Sequence, residues 1–133
     1  MDNFKTKVLV VEDDTISALI LKDHLEGAGY FVFISEDGEH AWNTLLQGTH
    51  NFSLVIADRM MPKMDGIELT KRIRNHALFS NLPVVMLTSA AEKEEVIAAV
   101  KGGVYDFLLK PIEPSLILKV AERALRESGF GYQ

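Results

Sequence analysis

Short runs of consecutive apolar residues alternate along the chain with longer stretches in which apolar residues recur every three or four positions. Lys7-Val8-Leu9-Val10-Val11 is a continuous, largely β-branched run and predicts a first strand buried on both faces. Asp14 offers a cap to a following helix in which Ala18, Leu21, Leu25 and Ala28 fall at helical spacing, and Gly29 stops it. The alternation continues with a strand over 30–34, a short helix over 38–47, a strand over 52–57 and a helix over 66–74. A polar stretch then leads to Pro83 and a fourth strand over 84–87. Ser89-Ala90-Ala91-Glu92 has the form of a capping box and predicts a helix running through Lys101 to Gly102-Gly103. Residues 107–109 give the fifth strand. Pro114, accepted in a first helical turn, leads a last helix with Ile117, Val120, Ala121, Ala124 and Leu125 on one face.

Five strands in strict alternation with five helices predict a doubly wound α/β domain with a parallel sheet. Ligands are then expected outside the carboxyl ends of the strands. The 133 residues suffice for one domain with a sizeable core. The absence of cysteine excludes disulfides and thiolate metal sites. No apolar run is long enough for a membrane span, and the first residues do not open a signal peptide. A net charge of −5 without any basic cluster leaves direct nucleic-acid binding without its electrostatic footprint. Histidines 24, 40, 50 and 76 fall in scattered elements and read as solvated or capping residues. Trp42 reads as packing on the second helix, and Met60, Met61 and Met64 as flexible core filling.

The chemistry is concentrated at the strand ends. The first strand delivers Glu12-Asp13-Asp14, the third Asp58, the fourth Thr88 and the fifth Lys110-Pro111; the second delivers Ser35-Glu36-Asp37 at the margin. In a parallel sheet these ends share one rim. Two carboxylates ~4 Å apart repel by roughly 4 kcal/mol at an effective dielectric of 20, and one lysine cannot neutralise three acids. A hard dication can, and a rim without histidine or cysteine favours magnesium over zinc. Such a rim suits phosphoryl chemistry: cation and ammonium offset charge on phosphoryl oxygens while a carboxylate attacks in line. Asp58 is the natural nucleophile, because its strand is the central one. Each residue also has a plainer role. An aspartate after a strand often caps the next helix, which suits Asp14, and Phe107 fits as a core aromatic.

Four motifs, "VLVVEDD" at 8–14, "LVIADRMMPKMDG" at 54–66, "VVMLTSA" at 84–90 and "GGVYDFLLKP" at 102–111, stand in order at strand ends. By these the chain resembles the receiver domain of two-component response regulators, chemotaxis-regulator-like, over residues 5–127, with 128–133 a tail or the start of a linker. The resemblance implies a flavodoxin-like (βα)5 fold with strand order 2-1-3-4-5 and helices on both faces. It implies that Asp58 is the phosphoacceptor, taking a phosphoryl group from a partner kinase's phosphohistidine. Mg2+ would be held by Asp13 and Asp58, the backbone carbonyl of Met60, and Glu12 through water. Lys110 would pair with a phosphoryl oxygen and serve catalysis with Asp58. Thr88 would be the switch hydroxyl and Phe107 the switch aromatic, Pro62 and Gly66 would shape the loop after the acceptor, and Lys110-Pro111 would be a cis peptide.

The implied partners are a sensor histidine kinase or phosphotransfer protein, and an output domain or downstream protein. The output side would use the face of the fourth helix, fifth strand and fifth helix, where related domains often form homodimers. No membrane or nucleic-acid partner is implied, the location is cytoplasmic, and the domain accepts phosphate without being a turnover enzyme. An aspartyl-nucleophile phosphatase would need a second aspartate two residues on, where Met60 stands, to protonate the leaving group. A nucleotide or flavin binder would need a phosphate cradle where Glu12-Asp13-Asp14 stands. A phosphorylation-independent pseudo-receiver has no need of Asp13, Asp58, Thr88 and Lys110 together. Phe107, lacking a hydroxyl, can signal by burial of its ring alone. Met60 and Ala90, two residues beyond acceptor and switch threonine, are apolar at the positions that frame the hydrolytic water. Slow loss of phosphate is therefore expected. Met60→Asn combined with Ala90→Glu should accelerate it by about an order of magnitude, roughly 1.4 kcal/mol of barrier, in a phosphate-release time course.

Overall fold

A computed structural model describes residues 6–89 and 92–128. The elements run β1 (Lys7–Val11), α1 (Thr15–Gly27), β2 (Phe31–Ser35), α2 (Gly38–Gln47), β3 (Phe52–Asp58), α3 (Gly66–Arg74), β4 (Val84–Thr88), α4 (Lys93–Gly102), β5 (Asp106–Leu109) and α5 (Pro114–Ser128). All five strands pair in parallel in the order β2-β1-β3-β4-β5. The doubly wound class and the strand order are thus both as expected.

Side-chain alternation sorts the core into two faces. Val8, Val10, Leu54, Ile56, Val85, Leu87 and Leu108 point toward α1 and α5, meeting Leu21, Leu25, Ile117, Val120 and Leu125. Leu9, Val11, Val55, Ala57 and Val84 point the other way, toward Ala41 and Leu45 of α2 and Leu69 and Ile73 of α3. α4 joins through a smaller cluster of Ile67, Met86 and Ala99, against which Phe107 packs. The central strands are buried throughout, which is why they carry no polar alternation.

Three side chains cap their helices as acceptors: Asp14 takes the Ser17 N–H, Asp37 the His40 N–H and Asp65 the Glu68 N–H. The capping box expected at Ser89 is not the start of α4. The helix opens at Lys93, with Glu92 at the cap position and no side-chain cap bond; Ala90 and Ala91 lie outside the described residues. Glu94 and Glu95 in the first turn complement the helix dipole instead. Strand β2 begins one residue later than expected, because the Tyr30 N–H turns back to the Leu25 carbonyl and completes the end of α1. The histidines are not uniformly solvated. The His50 ring packs with Phe33 and Phe52 at centroid distances of 5.0 and 5.3 Å, and His76 stacks on Phe79 at 4.6 Å. Of the methionines, Met64 is buried as expected, but Met60 is 68% exposed.

The fold presses closest at Gly66, where a Cβ would lie 2.5 Å from the Asp58 carbonyl oxygen and 3.2 Å from the Arg59 Cα. Backbone cannot yield as a flexible side chain can. Gly66→Ala should therefore cost about 1–3 kcal/mol. Gly27→Ala, inside α1 with nothing within 4 Å of the new methyl, should instead gain about 0.5 kcal/mol. Urea midpoints of the two variants should move in opposite directions.

Candidate functional site at the strand carboxyl ends

Strand register assembles the site. Val11 lies opposite Ala57, Asp58 opposite Leu87, and Thr88 opposite Leu109. Glu12 follows Val11 and so comes beside Asp58, while Lys110 follows Leu109 and extends across the same rim. One carboxylate oxygen each from Glu12, Asp13 and Asp58 lie within 4.8 Å of one another. Glu12 and Asp58 are buried, at 3% and 7% exposure, and Asp13 faces solvent. An open, oxygen-only donor set of this kind fits a hard divalent cation that retains waters.

Lys110 spans the two buried acids. Its Nζ lies 3.0 Å from Asp58 Oδ2 and 3.2 Å from Glu12 Oε1. The other Glu12 oxygen accepts the Asp14 N–H at 3.1 Å. Burial pushes the Glu12 carboxyl above its ordinary pKa, and the neighbouring Asp58 charge adds to the rise; the Asp14 amide and Lys110 oppose it. Burial works against the Lys110 ammonium too, but its hydrogen bond and charge contact with Asp58, joined by Glu12, more than offset this. Its pKa stands above the ordinary lysine value. Asp14 is a helix cap: Oδ2 accepts from the Ser17 amide at 2.9 Å and hydroxyl at 2.6 Å, holding its carboxyl below the usual range.

Thr88, the last residue of β4, is buried, and its carbonyl accepts the Lys110 N–H at 2.8 Å. Phe107 sits on β5 opposite Met86 and is half-buried between sheet and α4, so it is a core aromatic at the position expected of a switch. The Lys110–Pro111 bond is cis. Leu9, Val11 and the rest of the buried sheet hold these groups from below, so the rim stands on the most rigid part of the domain.

One residue of this region escaped the sequence reading. Arg59 follows the acceptor directly, and its guanidinium reaches Asp65 Oδ2 at 2.9 Å and Glu95 Oε2 at 2.8 Å. Its partners lie six and 36 residues away, so spacing gave no sign of them. The one available signal was a lone cation immediately after a run of buried residues.

Compared with known proteins, a family model described as response regulator receiver domain matches residues 8–122. The chain is 35% identical over 120 residues to chemotaxis protein CheY1 of Helicobacter pylori, covering 90% of this chain and 96% of that one. Among solved structures, chemotaxis protein CheY4 of Vibrio cholerae superposes with a TM-score of 0.83 at 30% identity, covering 90% of this chain and 98% of the other. The signal receiver domain of a signal transduction histidine kinase from Syntrophus aciditrophicus gives 0.85 at 29%, covering 92% and 91%.

The buried Glu12 charge sets an expected trade-off. Its folded-state pKa is raised, so the folded state holds its proton to higher pH than the unfolded chain does. Stability of the metal-free domain should then fall as pH rises from the ordinary glutamate range through the Glu12 pKa. Lys110, also raised, contributes across that whole window and is lost only above the ordinary lysine range. Glu12→Gln keeps the acceptor for Asp14, removes the buried charge, and should flatten this slope while stabilising the metal-free domain by about 1 kcal/mol at neutral pH. The same change should reduce the thermal stabilisation conferred by added Mg2+. Urea unfolding across that pH range, and melting with and without Mg2+, read both effects.

Proposed function

The chain belongs to the response regulator receiver family of two-component signalling, and on that premise we propose that it is a phosphoacceptor switch acting through Asp58. The observation that carries this is the Lys110 ammonium spanning two buried carboxylates at the rim. An Asp58 oxygen attacks the phosphorus of a phosphohistidine on a sensor histidine kinase or phosphotransfer protein. The new O–P bond forms as the P–N bond breaks, and the imidazole departs with the electron pair and takes up a proton. Lys110 pairs with a phosphoryl oxygen and holds it in line. Asp13, Asp58 and the Met60 carbonyl, with Glu12 through water, would hold the cation. Bound Mg2+ supplies positive charge against that developing on the phosphoryl oxygens. The donor set supports this, being three carboxylates with no nitrogen or sulfur among them.

The acyl phosphate adds nearly two negative charges and strong acceptor oxygens beside Lys110. Thr88 is drawn toward it, Phe107 turns inward, and the surface of α4, β5 and α5 changes. Phosphorylation thus shifts an existing equilibrium, since only the active arrangement places both Thr88 and Lys110 on the phosphate. That surface already exposes Ile97, Val100, Leu109 and Leu116, apolar side chains suited to an output partner or a second copy of the domain. Among the described residues no helix is long and apolar enough to cross a membrane. The domain is consumed and reset once per signal, so it accepts phosphate without being a turnover enzyme.

Incubation with acetyl phosphate and Mg2+, followed by intact mass, should show one phosphoryl adduct on the wild type and none on Asp58→Asn. An adduct on both proteins, or on neither, overturns the assignment.

A further inference from the structure

The ion pairs of Arg59 join parts of the domain that nothing else in the proposed switch connects. Its backbone is fixed on both sides: the N–H donates to the Leu87 carbonyl at 2.7 Å, and its carbonyl accepts the Gly66 N–H at 3.1 Å. The guanidinium, 16% exposed, therefore projects from an immobile base next to Asp58. Asp65 is the N-cap of α3, a helix with Ile67, Leu69, Thr70 and Ile73 all buried. Glu95 lies in the first turn of α4, of which only Ala99 and Gly102 are buried among the described residues, and whose cap position makes no side-chain bond. One partner of Arg59 is thus anchored in the core, and the other rides on the most loosely held helix.

We infer that the Arg59–Glu95 pair is a latch that holds α4 to the acceptor loop and sets how readily Asp58 is phosphorylated. This rests on the phosphoacceptor assignment and deepens it. The direction follows from where the pair is made. It is closed in the ligand-free arrangement, and an interaction made in one state alone stabilises that state. Phosphorylation remodels the surface to which Glu95 belongs, so opening the latch is part of the work of switching. Because coupling between sites is reciprocal, a partner that draws α4 away from Arg59 also raises the affinity of Asp58 for its phosphoryl group. Arg59 is a positioning residue in this scheme, acting on the chemistry through the loop and helix it connects.

Two substitutions separate the latch from simple charge. Glu95→Gln and Asp65→Asn each remove one negative charge beside the same guanidinium, and asparagine still caps α3. Only Glu95→Gln frees α4. Titration of the full chain with beryllofluoride and Mg2+, followed by NMR, should show Glu95→Gln binding about three- to fivefold more tightly than both the wild type and Asp65→Asn, the scale of a partly exposed ion pair. Without any ligand, amide hydrogen exchange over residues 93–102 should be faster in Glu95→Gln than in Asp65→Asn. Equal affinities in the two variants, or unchanged exchange in α4, overturn the latch. Wild-type protein that binds no beryllofluoride overturns the Asp58 assignment instead, while the exchange comparison still judges the latch by itself.

Discussion

Three carboxylates converge at one end of the sheet with a single ammonium among them, and the remaining architecture accommodates their repulsion. With oxygens of Glu12, Asp13 and Asp58 inside 4.8 Å, each close pair opposes folding by a few kcal/mol at a protein-like dielectric. Lys110 divides its charge between two of them and leaves the rim negative. The domain tolerates this because the strands beneath are wholly buried and pinned by parallel ladders on both sides, so the acids cannot move apart without breaking the core. Fixed, under-compensated oxygens form a poor structural element and a good site for a hard cation followed by an anion.

The two faces of the sheet are unequal, and the inequality decides which side can respond. α1 and α5 close over a large continuous cluster of leucine, valine and isoleucine. Beneath α4 the core is thin, with Ile67, Met86 and Ala99 as its buried members and the Phe107 ring half in it. A perturbation at the rim reaches both sides through the strand ends, but only the thin side can yield at modest cost. Placing the family's output surface there agrees with the packing.

Much of this was legible in the chain. Buried runs alternating with amphipathic stretches give all ten elements, and the five apolar positions expected on one face of α5 are all buried. Periodicity alone could not order the strands, and without the order 2-1-3-4-5 the approach of Glu12, Asp58 and Lys110 was an inference from motifs. The strand ends were set one residue short at Asp58 and Thr88. A polar side chain there reads as loop, yet both residues still pair in the ladder. Contacts between side chains far apart in sequence were invisible, Arg59 with Glu95 above all, and so was the aromatic packing of His50.

Phe107 fixes the scale of the proposed switch. Without a hydroxyl, its inward turn can draw only on apolar burial, at about 25 cal/mol per Å2. The ring is already half-buried, so the area left to gain is a fraction of a phenylalanine side chain, worth on the order of 1 kcal/mol. A partly exposed ion pair such as Arg59–Glu95 opposes it with a similar or smaller amount. Neither term can commit the domain on its own, and their near-cancellation leaves the two arrangements close in free energy. In such a balance the contacts that Thr88 and Lys110 make with a phosphoryl group in one arrangement alone suffice to decide which arrangement is populated.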